Sequence, residues 1–138
     1  MSSVVRSSFS IEKSLYDRLE DLVAKGGYEN RSEFLRDLIR DKLVELEWEH
    51  DEIAVGTVTM IFDHHKRGLS DKLTEIQHDY LDLILASTHV HLDHHLCAET
   101  VVVKGRALAI KSLADRLRQQ KGVLHASLSI SSTGKNLA

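Results

Sequence analysis

The sequence predicts an α+β protein in two parts, a short βαα segment followed by a βαββαβ domain. Three observations predict it. Residues 6–11 alternate in character, two amphipathic helical patterns follow them before residue 48, and beyond residue 52 strand-like and helical stretches interleave.

In the first part, Arg6, Ser8 and Ser10 share one face of an extended strand, and Ser7, Phe9 and Ile11 share the other. A helical pattern follows, with Leu15, Leu19, Leu22 and Val23 on one face and Gly26-Gly27 as its stop. Asn30-Arg31-Ser32-Glu33 has the form of a capping box for a second helix, whose apolar face is Phe34, Leu35, Leu38, Ile39, Leu43 and Leu46. So short a segment cannot close a core alone, which points to an intertwined dimer. The acidic stretch Glu45 to Glu52 reads as an extension of that helix or as a linker. We place the first domain at 1–47, a linker at 48–52 and the second domain at 53–138.

In the second part, Ile53 to Phe62 is strand-like, and Leu69, Leu73 and Ile76 stand at helical spacing. Leu83 to Leu92 and Ala98 to Val103 read as two strands joined by a short turn. Gly105 is expected to break that run before a helix carrying Ile110, Leu113, Ala114 and Leu117, which ends by Gly122. Leu124, Ala126, Leu128 and Ile130 then alternate with His125, Ser127, Ser129 and Ser131 as a last strand. This order is the ferredoxin-like arrangement.

Composition narrows the function classes. No apolar run approaches the length of a membrane span, and the N-terminus has no signal-peptide core, so a cytoplasmic protein is expected. The single cysteine, Cys97, excludes an internal disulfide. A net charge of −3 argues against a generic nucleic-acid binder, but basic residues gather at Arg6, Arg31, Arg36 and Arg40. Seven of the chain's 9 histidines fall from His64 to His95, near Cys97.

A two-stranded ribbon fits the major groove of DNA and presents one face to the base edges. Arg6 is suited to grip a guanine, and Ser8 and Ser10 offer small hydroxyls that donate or accept. Unpaired backbone N–H groups at the start of the second helix, near Asn30, Arg31 and Ser32, make a phosphate clamp.

His89 and His91 lie two apart on a predicted strand and project from one face. A hairpin through Asp93-His94-His95 returns Cys97 toward them, and His78 ends the short helix before. Three imidazoles and a thiolate suit a borderline divalent metal, whether nickel, copper or zinc. Glu99, on the same side of its strand as Cys97, is placed to accept from a ligand imidazole. His64, His65, His94 and His95 are expected as solvated loop residues rather than high-affinity ligands. No nucleophile–base pair stands out, so no enzyme is expected.

These residues resemble the nickel-responsive regulator family (NikR) over essentially the whole chain. The motifs that carry the resemblance are GYENRSEFLRD at 27–37, His78 after Gln77, THVHLDHHLC at 88–97, VVVKG at 101–105 and KGVLHASL at 121–128. The resemblance implies a homotetramer of ribbon-helix-helix dimers around ACT-like domains. It implies Ni(II) held in a plane by His89, His91 and Cys97 of one subunit and His78 of a neighbour. It implies binding to double-stranded operator DNA when nickel is bound, with repression of nickel-uptake genes. Arg6, Ser8 and Ser10 match the family's base-reading positions, Lys66 and Arg67 a basic pair that touches the DNA backbone. Glu33 and Asp37 match positions that hold a second cation. The chain departs from the family in carrying serines where the readers are threonines, and Asp79-Tyr80-Leu81 where some relatives carry further histidines. The competing expectations are a regulator of copper and a nickel chaperone or store.

Overall fold

The computed structural model describes residues 3–138; Met1 and Ser2 of the first expected domain lie outside the described residues. The chain divides into two compact units, Met1–Leu43 with Asn136–Ala138, and Val44–Lys135.

In the first unit, residues 3–12 have no regular secondary structure and are exposed throughout. The strand expected at 6–11 needs a second strand for its backbone donors and acceptors, and a ribbon takes its two strands from two chains. Helix α1 spans Lys13–Lys25 and helix α2 Arg31–Glu49. Gly27, at φ 73°, closes α1 while Tyr28 N–H donates to the Val23 carbonyl at 3.1 Å. Only a residue at ease in the left-handed region makes that turn cheaply. The cap expected at Asn30 is present: Glu33 N–H donates to Asn30 Oδ1 at 3.0 Å. Much of this unit's apolar surface stays open, with Phe9 61%, Leu22 53% and Ile39 60% exposed.

The second unit is the βαββαβ domain: β1 Ile53–Asp63, α3 Leu69–Asp79, β2 Ile84–His91, β3 Leu96–Arg106, α4 Ala107–Arg118 and β4 Val123–Ile130. The sheet is antiparallel in the order β2-β3-β1-β4, which is the ferredoxin-like, ACT-like topology. Burial alternates along β1, so Val58, Met60 and Phe62 enter the core with Leu73 and Ile76 of α3 and Ile110, Leu113 and Leu117 of α4. Strand β3 runs straight through Gly105, which we expected to end it. A methyl group on this glycine would meet the tip of the Leu83 side chain, which would have to shift.

Residues 48–52, expected as a linker, form a built corner of this unit. Trp48 is buried in the core and its Nε1–H donates to the Ser131 carbonyl at 2.8 Å. Asp51 ends α2 in the left-handed region at φ 53°, and its Oδ1 accepts from Leu108 N–H at 2.9 Å, capping the first turn of α4. Of the two readings of the acidic run, helix extension holds as far as Glu49, and the burial of Trp48 ties the segment to the core.

Candidate metal centre and DNA-reading segment

Strand register brings the metal candidates together. His91 pairs with Cys97, and His89 with Glu99, across β2 and β3; Phe62 of β1 pairs with Cys97 from the other side. Directly opposed residues share a face, so His89, His91, Cys97, Glu99 and Phe62 all point to the helix-covered side. β2 is the edge strand, which leaves both imidazoles exposed while Cys97 beneath them is buried. The Sγ of Cys97 lies 3.5 Å from His91 Nδ1. The His89 ring stands 5.3 Å from that of His91 and edge-on to Phe62 at 5.8 Å.

His64 joins this group, which the sequence reading did not foresee. Its Nδ1 lies 3.0 Å from Cys97 Sγ, and its ring stands 5.1 Å from that of His91. Among the described residues, His64, His91 and Cys97 bring their donor atoms within 4.8 Å of one another. The signal was available. Val58, Met60 and Phe62 alternate into the core, and one more step of two reaches His64. The loop that follows is tied to the β2–β3 turn, because His64 N–H donates to the His95 carbonyl at 3.0 Å and His65 Nε2–H to the His94 carbonyl at 2.7 Å. His94 and His95 are exposed, as expected. Asp93 holds the turn by accepting from the N–H groups of His95 at 2.8 Å and Leu96 at 2.7 Å. Those bonds keep its carboxyl below the usual carboxylate range.

Burial pushes the Cys97 thiol up, with the charges of Asp63, Asp93 and Glu99 adding to it. Burial also lowers His64, reinforced by His65 and His91, and so favours the neutral imidazole that donates to metals. A buried thiol beneath neighbouring imidazoles is the donor set of a borderline divalent cation, and nickel fits it.

His78 is not drawn into the cluster. It stands exposed on α3, two residues past buried Ile76 and so on the far side of the helix from the core. The neighbouring Gln77 turns inward, and its Nε2–H donates to Glu99 Oε1 at 2.7 Å. Glu99, which we expected beside a ligand imidazole, is buried and engaged by this amide.

In the first unit, Arg6, Ser8 and Ser10 are exposed. A groove of about 610 Å³ opens there, lined in part by Ser7, Phe9, Ile11, Leu19 and Leu35. At the start of α2, Ser32 is exposed and Asn30 is occupied as the cap. Arg31 donates to Tyr16 Oη at 2.8 Å and lies 3.4 Å from Glu20, so its charge is directed at α1. Glu33 pairs with Arg36, and Asp37 accepts from Tyr28 Oη–H at 2.8 Å. Lys66 and Arg67 are exposed on the loop between β1 and α3. No helix among the described residues is long and apolar enough to cross a membrane.

Comparison with known proteins agrees with both halves. Residues 55–131 match the family described as the NikR C terminal nickel binding domain, and residues 5–46 match the ribbon-helix-helix proteins of the copG family. A Geobacter sulfurreducens protein named "Putative nickel-responsive regulator" is 49% identical, with 99% of each chain covered. A Thermococcus kodakarensis protein of the same name is 44% identical, over 97% of this chain and 98% of its own. Among solved structures, an uncharacterized protein from Thermotoga maritima superposes with a TM-score of 0.52 at 18% identity, covering 57% of this chain and 98% of its own, a likeness of fold alone. With its metal-binding domain matched over more than half its length and relatives aligned end to end, the chain belongs to the NikR family of nickel-responsive regulators, which are not enzymes.

Proposed function

We propose that this protein is a nickel-dependent transcriptional regulator that occupies an operator when Ni(II) is bound and represses nickel-uptake genes. One observation carries the reading most: a buried thiol beneath strand-borne imidazoles, with Cys97 Sγ 3.5 Å from His91 Nδ1, in a chain whose other half matches a DNA-binding family. His89, His91 and Cys97 would hold the metal, with the partner subunit's His78 as the fourth donor. Support for that last assignment is that His78 faces away from its own chain's core. Four protein donors in a plane suit nickel and leave no open position for catalysis.

In the first unit, Arg6, Ser8 and Ser10 would meet base edges in the major groove. The apolar wall at Phe9, Ile11 and Leu35 would be covered by a second copy, giving an intertwined dimer and, through the second units, a homotetramer. Lys66 and Arg67 would add contacts to the phosphates. The residues holding nickel and those reading DNA lie in different units, so the two functions couple only if the bound and free proteins differ in how easily they reach the DNA-competent arrangement.

The test is operator binding by fluorescence anisotropy, using metal-free protein titrated with nickel or copper at fixed salt against random DNA. Tight, sequence-selective binding that appears with about one nickel per chain is expected. Equal operator affinity with and without nickel overturns the reading, and selective response to copper alone changes its metal.

A further inference from the structure

We propose that Arg116 is a positioning residue for nickel binding: from α4 it braces the end of α3 and so aims His78 for a neighbouring subunit. The proposal rests on the nickel reading above, in which His78 is the donor that crosses between subunits. His78 stands in the last turn of α3, exposed and directed away from its own core. Helix ends fray, so a donor in that place is only as well aimed as the turn that carries it.

This turn is not closed by a glycine in the left-handed region. Its cap is Tyr80, at φ −117° and ψ 28°. Tighter backbone bonds take its last carbonyls: Tyr80 N–H donates to Gln77 at 3.0 Å and Leu81 N–H to His78 at 3.3 Å. Side chains of α4 then hold it from outside. Arg116 donates from both Nη atoms to Asp79 Oδ2 at 3.3 Å, and its guanidinium carbon lies 5.4 Å from the centre of the Tyr80 ring. Tyr80 Oη lies 3.0 Å from Ser112 Oγ, one turn earlier on α4. Asp79 and Tyr80 directly follow His78, so both anchors act on the backbone that carries the donor. The other end of the brace is fixed, because Ile110, Leu113 and Leu117 of α4 are fully buried. The Arg116 and Asp79 side chains are 41% and 55% exposed, so their pairing adds little to the stability of the fold. Its effect is on direction, since a planar guanidinium stacked on a ring sets orientation as well as distance.

A surface ion pair with no bearing on the metal is the alternative, and mixed assemblies of full-length chains separate the two. A His89→Ala chain can donate His78, and a His78→Ala chain can receive it beside its own His89, His91 and Cys97. Arg116→Met, which keeps the apolar stem, is placed in one chain or the other before co-expression, and nickel retained against a competing chelator is measured. In the donating chain it should weaken nickel retention about ten-fold, the low end of what a ligand's outer partners cost. In the receiving chain, which has no His78 to aim, it should change nothing. Arg118→Ala in the donating chain, at an arginine that pairs with Asp115 on its own helix, should also change nothing. In metal-free protein, Arg116→Met alone should speed amide hydrogen exchange at the end of α3. Four outcomes overturn the proposal: no loss in the donating chain, equal loss in both chains, a loss as large from Arg118→Ala, or unchanged exchange. Mixed assemblies that regain no nickel without the Arg116 change would overturn the two-subunit site of the Proposed function as well. Assemblies that do regain it, with any of those four outcomes, remove only the role of Arg116.

Discussion

His64 Nδ1 lies 3.0 Å from Cys97 Sγ across 33 residues of sequence. The contact joins the end of β1 to the start of β3, and it places the single thiol of the chain under imidazoles from two directions. Everything expected of the metal centre turns on that sulfur.

Cys97→Ser removes the soft donor while leaving a side chain of nearly the same shape in a buried position. The thiolate-to-nickel absorption should vanish, and nickel affinity should fall by about 100-fold or more, since outer partners alone cost about 10- to 100-fold. Burial and nearby carboxylates hold the Cys97 thiol up, so it is protonated at neutral pH and nickel must displace that proton. Metal binding that releases a proton weakens as pH falls, by about ten-fold per pH unit for one proton. Nickel titrations across pH 6.5 to 8 should show that slope in the wild type and a shallower one in Cys97→Ser. An unchanged spectrum would take Cys97 off the metal.

Much of this was legible from sequence because the signals are local. The period of two along 123–130 and the helical spacing of Leu69, Leu73 and Ile76 needed no partner to be read, and the βαββαβ order followed. The H-x-H pair and Cys97 were legible for the same reason, since a hairpin turn sets their register. His64 was not, because it lies one step beyond the last apolar residue of β1 and next to another histidine, which reads as a loop. Trp48 was hidden for the opposite reason, its burial being set by Ser131 and the core far along the chain while its neighbours are acidic. The strand at 6–11 is legible as alternation, but its backbone partner is not written in the same stretch.

Arg6→Ala and Lys66→Ala should fail in different ways. Arg6 is exposed on the face that we assign to base reading, so its loss should cost about 1–3 kcal/mol on the operator, leaving nickel binding unchanged. Lys66 is exposed on the loop after β1, and its loss should weaken operator and random DNA alike while lowering the salt slope by about one. Anisotropy at several salt concentrations reads both. A protein that only stores nickel would show neither difference.

Trp48→Ala should destabilise the second unit by about 3–5 kcal/mol, because it empties a core position and leaves the Ser131 carbonyl without its donor. Trp48→Phe keeps most of the apolar volume and loses the indole N–H, so it should cost less, about 1–2 kcal/mol. Urea unfolding at one protein concentration measures both, and concentration must be fixed because assembly itself adds stability. Near-equal, small losses would mean that residues 48–52 are held by Asp51 and its bond to Leu108 rather than by the tryptophan.

Mixing two impaired proteins tests whether the nickel site spans subunits. His78→Ala and His89→Ala each lack one proposed donor, and neither alone should bind nickel with wild-type affinity. In an assembly containing both, a site that takes His78 from the His89→Ala chain and His89, His91 and Cys97 from the His78→Ala chain is complete. Co-expression should therefore restore a fraction of full-affinity sites, measured as nickel retained against a competing chelator. His78 is exposed and faces away from its own core, so both variants should fold. If mixed assemblies form and regain nothing, each chain must supply its own fourth donor, and His64, already 3.0 Å from the sulfur, is the residue placed to do it.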